Sequence, residues 1–309
     1  MSRPTLSVVL PNYNHAAHLP RAVRSIAEQS RPPDEFWILD DASTDHSLQV
    51  IEQLGARYPM IRVVRNERNE GVNAANRRLF ALASGDYLHP AAADDERYPD
   101  FFANAMAIAE RYPQAGLIFG QLDVKNPAGL TIGEVTVQSW RETLYADPDR
   151  FLREYLDREL ATHAVAGATI YRRDAFLSVG SYREELGPWA DSFAFRAIGL
   201  RYGVAYAPQK WAIDYRYPGS YSQRTKDAPR RSLELITRAA AVMRSDPYRP
   251  YFPETHVRRW EKQFRRLIAW NEFLGPTTWP RPPFWKRNLA RISRIFPALM
   301  LLLGAQRSP

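Results

Sequence analysis

The stretch SVVLPNYNHAAHLPRAVRSI, residues 7–26, passes from an apolar run through a polar turn into an amphipathic repeat. Leu6 to Leu10 has the apolar composition of a strand. From Leu19 to Ile26 the apolar side chains recur at helical spacing, behind Asn14, a residue type that caps helices. The stretch therefore predicts a strand, a polar turn and a helix.

The same order of elements continues along the chain. EFWILD and IRVV predict the second and third strands, a helical repeat follows each of them, and DYLHP predicts a fourth strand. Strands that alternate with helices of roughly ten to fifteen residues form a mostly parallel sheet. Ligands of such sheets bind beyond the carboxyl ends of the strands. The segments PNYN, DDAS and AADD, which each follow a strand, are therefore predicted to lie along one edge of the sheet.

Beyond residue 99 the alternation is less regular. The sequence predicts a helix to Tyr112, a strand in AGLIFGQLDV, helices at about 151–160 and in WADSFAFRAIGLRYG, and a strand in VAYAP. Residues 214–230 are rich in Pro, Gly, Ser and charge, which is typical of a linker. The predicted fold is α/β, a single mostly parallel sheet flanked by helices, with a helical basic C-terminal extension.

Composition restricts the chemistry that the chain can carry. At 309 residues it is long enough for one large α/β domain or two smaller ones. It contains no cysteine, which excludes disulfides, thiolate catalysis, iron–sulfur clusters and cysteine-ligated zinc. The first apolar run is too short for a signal peptide and breaks at Pro11, so a cytoplasmic location is expected.

Positive charge is concentrated at the C-terminal end. Residues 251–309 contain eleven Lys and Arg and three Glu, a net charge of +8 that equals the formal charge of the whole chain. A helix predicted in ETHVRRWEKQFRRLIAWNEFL places Arg and Lys opposite an apolar face. Two interpretations stay open: the C-terminal helices rest peripherally on an anionic membrane surface, or they pack on the protein's own body. No nucleic-acid partner is expected, because zinc-finger spacing and RNA-binding signatures are absent.

The chain lacks the motifs of several large enzyme classes. Gly-x-Gly-x-x-Gly, Gly-Lys-Ser/Thr and Gly-x-Ser-x-Gly are absent, which argues against dinucleotide-binding Rossmann enzymes, P-loop NTPases and α/β-hydrolases. Two carboxylate pairs at strand ends remain, Asp40 with Asp41 and Asp94 with Asp95. Adjacent carboxylates repel unless a cation or hydrogen-bond donors stabilise them. Taken alone, the second pair is as expected for a solvated turn or helix start.

In combination these segments resemble the nucleotide-sugar-binding half of the family 2 glycosyltransferases, which have the GT-A fold. The matching segments are SVVLPNYNHAAHLPRAVRSIAEQS, ILDDASTDHSLQVI, VVRNERNEGVNAANRRLFALASGDYL and AADDE, in the family's order and spacing. The match is close from Leu6 to about Tyr98 and looser from Ala166 to Pro208. It implies a nucleotide-sugar-binding half at 1–98, an acceptor-binding half at 99–217 and a helical basic region at 218–309.

The resemblance also implies roles for side chains of the first half. Pro11 and Tyr13 match the residues that bracket the nucleobase, and Asp41 matches the residue that hydrogen-bonds to it. Asn76 would shape the donor pocket. Asp40, the last residue of its strand, is expected only to hold the turn.

The second carboxylate pair is similar in position to the family's Asp-x-Asp motif. Asp94 matches the last Asp of that motif and would bind donor and metal together, with Asp95 assisting. Mg²⁺ or Mn²⁺ held by one or two carboxylates plus phosphate oxygens would relieve the repulsion within the pair. The first Asp of the motif is replaced by Ala92, which leaves open a catalytically inactive nucleotide-binding or scaffold protein.

In the second half, Asp191 is similar in place to the family's catalytic Asp. Without the resemblance, an N-cap for the following helix is the simpler interpretation. Trp189 is expected either to pack against an acceptor sugar or to lie in the core, and His163 and Arg196 could approach the pocket.

The expected activity is that of an inverting, metal-dependent hexosyltransferase. The donor is a nucleotide-diphosphate sugar, with a UDP-sugar favoured, and the acceptor is a glycan or lipid-linked molecule of cell-surface polysaccharide synthesis. A nucleotidyltransferase is the other rival, but its Gly-rich, basic N-terminal loop is missing.

Overall fold

The computed structural model describes residues 3–158, 165–218, 220 and 228–274. The strands are β1 Leu6–Asn12, β2 Glu35–Asp40, β3 Ile61–Arg65, β4 Tyr87–Pro90, β5 Glu96–Arg97, β6 Leu117–Lys125, β7 Thr131–Val135, β8 Leu144–Ala146, β9 Thr169–Arg172 and β10 Val204–Tyr215. The helices are α1 Leu19–Ala27, α2 Ser47–Arg57, α3 Val72–Leu82, α4 Phe101–Arg111, α5 Pro148–Arg150, α6 Arg173–Ser178, α7 Ala190–Tyr202, α8 Pro229–Arg244 and α9 Glu254–Leu274. A π-helical turn spans Phe151–Leu156, and 3₁₀ turns span Ala166–Ala168 and Glu184–Trp189.

All the strands belong to one sheet. Its order is β3-β2-β1-β4-β9-β6-β10-β5, with β7 added beside β6 and β8 beside β10. β1, β2, β3 and β4 are parallel, and β6 is parallel to β10. β9 is antiparallel to both β4 and β6, so these two strands point the same way. The prediction of a single mostly parallel sheet flanked by helices is confirmed, with antiparallel additions at β5, β7, β8 and β9.

The elements predicted from residues 7–26 and from the next three strands are present. One detail of the prediction is wrong, because Asn14 does not cap α1. The N-cap residue is His18, and Asn14 lies earlier, with a φ of 58°. Its side-chain oxygen accepts a hydrogen bond of 2.7 Å from Thr44 N, so it joins the loops after β1 and β2.

Each face of the sheet carries an apolar cluster, as the alternation of side chains along β1 requires. Val9 points into one cluster, and Val8 and Leu10 point into the other. α1, α2 and α4 cover the face of Val8. α3, α6 and α7 cover the face of Val9, and buried side chains of α8 and α9 join this same cluster.

This packing shows where the apolar face of the basic helix lies, as far as the helix is described. The apolar face of α9 is turned into the cluster rather than toward solvent: the buried side chains are Val257, Trp260, Phe264 and Ile268, with Leu267 partly buried. None of the helices in the described ranges has both the length and the hydropathy needed to cross a bilayer. The basic segment after residue 274 lies outside the described residues.

Several of the remaining predicted elements are present with shifted bounds. Of the helix predicted at about 151–160, the π-helical turn Phe151–Leu156 is present, and residues 159–160 lie outside the described residues. The strand predicted in VAYAP continues to Tyr215, with an irregular register between Tyr206 and Ala212. Of the predicted linker, residues 219 and 221–227 lie outside the described residues, and α8 begins at Pro229.

Candidate active site

The topology brings the predicted site segments to one edge of the sheet. PNYN, DDAS and AADD follow β1, β2 and β4, which are parallel and adjacent, so all three lie at their carboxyl ends. α7 turns directly into β10, so it runs opposite to that strand and its first turn, with Asp191, lies at the same edge. The side chains predicted for donor binding and for catalysis therefore share one edge of the sheet.

Asp40 holds the turn after β2, as predicted. Its Oδ1 accepts hydrogen bonds from Asn12 Nδ2 at 2.9 Å and from Ser43 Oγ at 2.5 Å, and its Oδ2 accepts one from Ser43 N at 3.0 Å. The side chain is fully buried. These donors stabilise the charge, and they tie the loop after β2 to the end of β1.

Asp41 is also satisfied within the protein. Its Oδ1 accepts hydrogen bonds from Asn66 Nδ2 at 2.7 Å and Glu70 N at 2.9 Å, and its Oδ2 accepts one from Gly71 N at 2.8 Å. Gly71 is the N-cap of α3 and has a φ of 88°, a conformation that favours glycine. A carboxylate offers about four acceptor sites. The predicted contact with a base therefore has to use the remaining site, on Oδ2.

Other residues predicted to bind the donor include Pro11, Tyr13 and Asn76. Tyr13 is 41% exposed at the edge of the sheet, and Pro11 is half-buried. Asn76, one turn into α3, is buried, and its Oδ1 has no hydrogen-bond partner among the residues that the structure describes. The same holds for Asn12 Oδ1. Because buried acceptors are normally paired, these two orphaned oxygens fit a ligand that brings N–H or O–H groups.

Asp94 lies half-buried at the end of the β4 loop. Its main-chain oxygen accepts a hydrogen bond of 2.7 Å from Arg21 Nη2, and Arg21 Nε pairs with Glu96 Oε1 at 2.8 Å. The guanidinium also stacks over the Tyr215 ring, 3.8 Å from its centroid. Among the described residues, none donates a hydrogen bond to the Asp94 carboxylate, so it keeps its acceptor sites for a ligand.

Asp95 is enclosed by protein on most sides but retains some accessible surface. Its Oδ1 accepts a hydrogen bond of 3.0 Å from Tyr215 N. Burial, together with the negative charges of Asp214 and Asp94, raises the pKa of the Asp95 carboxyl well above its usual range, while Arg97 acts in the opposite direction. Positive charge brought to the site would lower this pKa again.

Sequence reasoning missed a buried basic pair behind the carboxylates. Arg97 and His89 are 4% and 0% exposed, and Arg97 Nε donates to His89 Nε2 at 2.8 Å. His89 Nδ1 lies 2.8 Å from the Thr169 carbonyl oxygen, which can only accept. Arg97 can only donate, so His89 is the neutral Nδ1–H tautomer. Burial, followed by the charge of Arg97, accordingly holds the pKa of His89 well below its usual value.

The donor set at this loop fits a divalent cation only in part. Carboxylate oxygens are the ligands of Mg²⁺ and Mn²⁺, and one or two of them suffice when phosphate oxygens complete the shell. Asp94 offers such a carboxylate, Asp95 stands behind it, and Ala92 offers none. Within the described residues there is no group of three or more Asp, Glu or His side chains that could hold a metal by itself. The arrangement thus fits a cation that arrives with a diphosphate.

Asp191 lies in the first turn of α7, where the helix dipole stabilises negative charge. The interpretation of Asp191 as the N-cap is wrong, since Trp189 is the N-cap. Asp191 Oδ1 accepts a hydrogen bond of 2.5 Å from Ser192 N. After burial, the charge of Asp191 is the next cause of a raised pKa at Tyr171, so this buried phenol lies within its electrostatic reach.

The three neighbours named with Asp191 have different positions. The Trp189 ring packs edge-on against Phe264 in α9, with centroids 4.7 Å apart, so it lies against the core. Arg196 is 2% exposed and donates to the Ser192 carbonyl at 2.9 Å. His163 lies outside the described residues.

A contact joins the two walls of the site. Arg77 in α3 forms an ion pair of 2.9 Å with Glu184, at the start of the 3₁₀ turn that leads to α7. Both side chains are largely exposed, so the pair adds little stability. It shows, however, that the helix of Asn76 and the turn before Asp191 face each other.

The chain is similar to a known protein family and to individual glycosyltransferases. The family model "Glycosyl transferase family 2" matches residues 7–180. The uncharacterized glycosyltransferase YibD of Escherichia coli K12 is 28% identical over 212 residues, which cover 64% of this chain and 58% of that protein. The chain spans about half the length of the curated relatives it matches.

Two solved structures are similar in fold. TarS 1–349 of S. aureus in complex with UDP-GlcNAc has a TM-score of 0.66 at 18% identity, covering 84% of this chain and 71% of that one. The mannosyltransferase of Pyrobaculum calidifontis in complex with GDP-Man and Mn²⁺ has a TM-score of 0.60 at 20% identity, covering 97% of this chain and 81% of that one.

Proposed function

The chain belongs to glycosyl transferase family 2 and has the GT-A fold, and on this premise we propose that it transfers a sugar from a nucleotide-diphosphate donor to an acceptor hydroxyl with inversion. The proposal is supported by the topology, in which the loop of Asp94 follows β4 and the first turn of α7, with Asp191, lies at the same edge of the sheet. The acceptor is a glycan or lipid-linked molecule of cell-surface polysaccharide synthesis.

The donor pocket is formed by the loops after β1 and β2 and the start of α3. Tyr13 and Pro11 bracket the base, and the remaining acceptor site of Asp41 receives a base N–H. Asn76 Oδ1 accepts from a donor hydroxyl or base N–H. UDP-sugars are favoured, and the UDP-GlcNAc complex of TarS and the GDP-Man complex of the mannosyltransferase support a nucleotide-sugar donor.

Asp94 would hold Mg²⁺ or Mn²⁺ against the diphosphate, with Asp95 assisting from behind. Bound there, the cation supplies positive charge that stabilises the diphosphate as it leaves. Arg21 fixes the main chain at Asp94, and the buried charge of Arg97 limits the repulsion between Asp94, Asp95 and Asp214. The Mn²⁺ in the mannosyltransferase complex supports this assignment.

Asp191 is the general base. The acceptor oxygen forms its bond to the anomeric carbon while the bond from that carbon to the diphosphate oxygen breaks, and the hydroxyl proton passes to Asp191. The electron pair leaves with the nucleoside diphosphate. A single displacement of this kind inverts the anomeric centre, and a well-placed base contributes roughly 10² to 10⁴ in rate.

The outer face of α9 suggests a cytoplasmic protein that rests peripherally on an anionic membrane. The residues that share this exposed basic face are Arg258, Lys262, Arg265 and Arg266. Because the apolar face of α9 is buried in the core, this helix would attach through charge alone. Vesicle co-sedimentation of the full chain and of the Lys262→Glu/Arg266→Glu variant tests the idea, and equal, salt-insensitive binding of both would contradict it.

The decisive experiment measures donor turnover with and without Asp191. With a panel of nucleotide sugars and Mn²⁺, the wild-type chain should release nucleoside diphosphate. Asp191→Asn should lower the transfer rate by roughly 10² to 10⁴ and change the Kd for UDP less than about twofold. Asp174→Asn is the matched control, since Asp174 also lies in the first turn of a helix but its side chain is 74% exposed.

The same assay separates the alternatives. A non-catalytic nucleotide-binding or scaffold protein would bind nucleotide without turnover and without response to Mn²⁺. A nucleotidyltransferase would release pyrophosphate instead of nucleoside diphosphate. Either result would replace the proposed function.

A further inference from the structure

We propose that α9 positions the catalytic carboxylate, through the contact of Phe264 and Trp260 with the turn from which α7 begins. The inference rests on the proposed role of Asp191 as the base. On this inference α9, which belongs to the predicted basic C-terminal extension, contributes to the activity of the acceptor-binding half.

The backbone of the turn that carries Asp191 is irregular. The 3₁₀ segment Glu184–Trp189 is interrupted at Gly187, which has φ 54° and ψ −129°. Neither this segment nor α7 has a side-chain hydrogen bond at its N-cap. What packs against Trp189, the N-cap residue of α7, therefore contributes to the direction of its first turn.

The side chains that pack there come from α9. The Trp189 ring meets Phe264 at 4.7 Å and 89°, and Trp260 at 6.5 Å and 84°, both edge to face. Phe264 and Trp260 are 2% and 5% exposed and contact each other at 5.0 Å. Edge-to-face contacts of this type are directional, so they restrain the tilt of the Trp189 ring and of the turn that bears it.

The indole N–H group of Trp260 is in an unfavourable environment. It is buried and has no acceptor among the described residues. An unpaired buried donor is unfavourable, and the ring packing has to outweigh it. Trp260 therefore contributes through the packing of its indole ring and not through a hydrogen bond of its N–H group.

The start of α9 is fixed independently. His256 Nδ1 lies 3.3 Å from Asp157 Oδ1, just after the π-helical turn, and Arg259 forms an ion pair with the same carboxylate. Burial, together with the charge of Arg196 in α7, lowers the pKa of His256 to about 4. α9 is thus held between α7 and the π-helical turn.

α8 supports the same turn from its other side. Tyr248, in the loop after α8, donates its hydroxyl to the Val179 carbonyl at 2.8 Å and packs edge-on against Phe193 of α7 at 5.0 Å. Its hydroxyl also accepts from Arg183, just before the 3₁₀ segment, at 2.8 Å. The turn is therefore clamped between two C-terminal segments, and a misplacement of about 1 Å at a catalytic group can reduce the rate about 10²-fold.

The test uses Phe264→Leu, which keeps an apolar side chain and removes the ring. We expect kcat to fall 10- to 100-fold while the KM for the donor and the Kd for UDP change less than about twofold. Trp260→Phe keeps an aromatic side chain of smaller size and removes the unpaired N–H, so its kcat should fall less than that of Phe264→Leu. Ala269→Ser, at an exposed position of the same helix, is the matched control and should change neither kcat nor Tm.

A double variant separates positioning from general loss of structure. If Phe264 acts through Trp189, Trp189→Leu and the pair Trp189→Leu/Phe264→Leu should lower kcat about as much as Phe264→Leu alone. Effects that multiply in the double variant, an unchanged kcat in Phe264→Leu, or a parallel loss of UDP binding would each overturn the inference. A wild-type chain that transfers no sugar would instead remove the proposed function itself.

Discussion

The two Asp-Asp pairs of this chain have the same local sequence setting and different physical surroundings. Asp40 ends β2 and Asp41 follows it, and together they accept six hydrogen bonds from protein donors. Asp94 and Asp95 follow β4, and the only hydrogen bond donated to their carboxyl groups by a described residue is that of Tyr215 N. The first pair is stabilised by donors and the second is left to be stabilised by charge.

The hydrogen-bond donors around a carboxylate pair indicate whether the pair has a structural role or a ligand-binding role. A carboxylate surrounded by amide and hydroxyl donors is complete, and removing it destabilises the fold. A carboxylate faced by other carboxylates, with one buried guanidinium behind, is incomplete until a cation arrives. The comparison therefore predicts that variants of the first pair change stability and variants of the second pair change ligand binding and turnover.

The largest effect is expected from Asp94→Ala. A cation at the diphosphate contributes several kcal/mol to the transition state, which corresponds to about 10³-fold in rate. Loss of Asp94 should therefore lower kcat/KM about 10³-fold, weaken Mn²⁺-dependent UDP binding and leave Tm within about 2 °C. Steady-state kinetics, calorimetric titration of UDP with and without Mn²⁺, and thermal unfolding measure the three quantities.

The matched control is Asp86→Ala, an exposed carboxylate that bonds to Thr5 at the opposite end of β4. It should keep turnover and the response to Mn²⁺. An Asp94→Ala variant that turns over donor at the wild-type rate would remove the functional half of the comparison.

Whether a feature could be predicted from the sequence depends on how far apart in the chain its contacting residues lie. The order of β1 to β4, the shared edge, and the role of Asp40 depend on strands and on the loops directly after them, so local patterns predict them. The GT-A fold was predicted from the same segments. The roles of the site residues stay predictions, with Asp41 now limited to one remaining acceptor site.

The missed features depend on residues distant in the chain. His89 bonds to the Thr169 carbonyl 80 positions later, Asp214 approaches Asp95 from a strand more than a hundred residues later, and Phe264 reaches Trp189 from a C-terminal helix. Periodicity shows that α9 has an apolar face but not which surface that face covers. The interpretation of α9 therefore stayed open until its packing was known.

The second prediction concerns stability. Asp41→Ala leaves Asn66 Nδ2 and Glu70 N without their acceptor, whereas Gly71 N keeps its second acceptor, Asn69 Oδ1. A buried donor that loses its partner costs about 1–3 kcal/mol, and relaxation of the loop makes the two costs less than additive. We expect the free energy of unfolding to fall by about 2–4 kcal/mol in urea denaturation.

Asp45→Ala serves as its control, because that carboxylate is exposed and bonds to Ala16 N and Ser47 N in the neighbouring loop. Its variant should lose clearly less stability. If Asp41→Ala unfolds like the wild type but no longer binds UDP, Asp41 acts in ligand binding as proposed for Asp94 and Asp95. The contrast between the two pairs would then not hold.

The smallest effect is expected from Ala92→Asp, which restores the missing acid of the second pair. Ala92 is half-buried beside Asp94 and Asp95, so the new carboxylate adds like charge to a site that already has too much. Unit charges 4 Å apart interact by about 1 kcal/mol in water, so a divalent cation should gain at most about tenfold in affinity after desolvation. Without cation the same charge is repulsive, and the effect on Tm is negative. Thermal unfolding of the wild type and Ala92→Asp, each with and without Mn²⁺ plus UDP, should therefore show a lower Tm for the variant alone and a larger upward shift on addition. Equal shifts in both proteins would mean that this loop is not where the cation binds, and that the unpaired state of Asp94 and Asp95 has another reason.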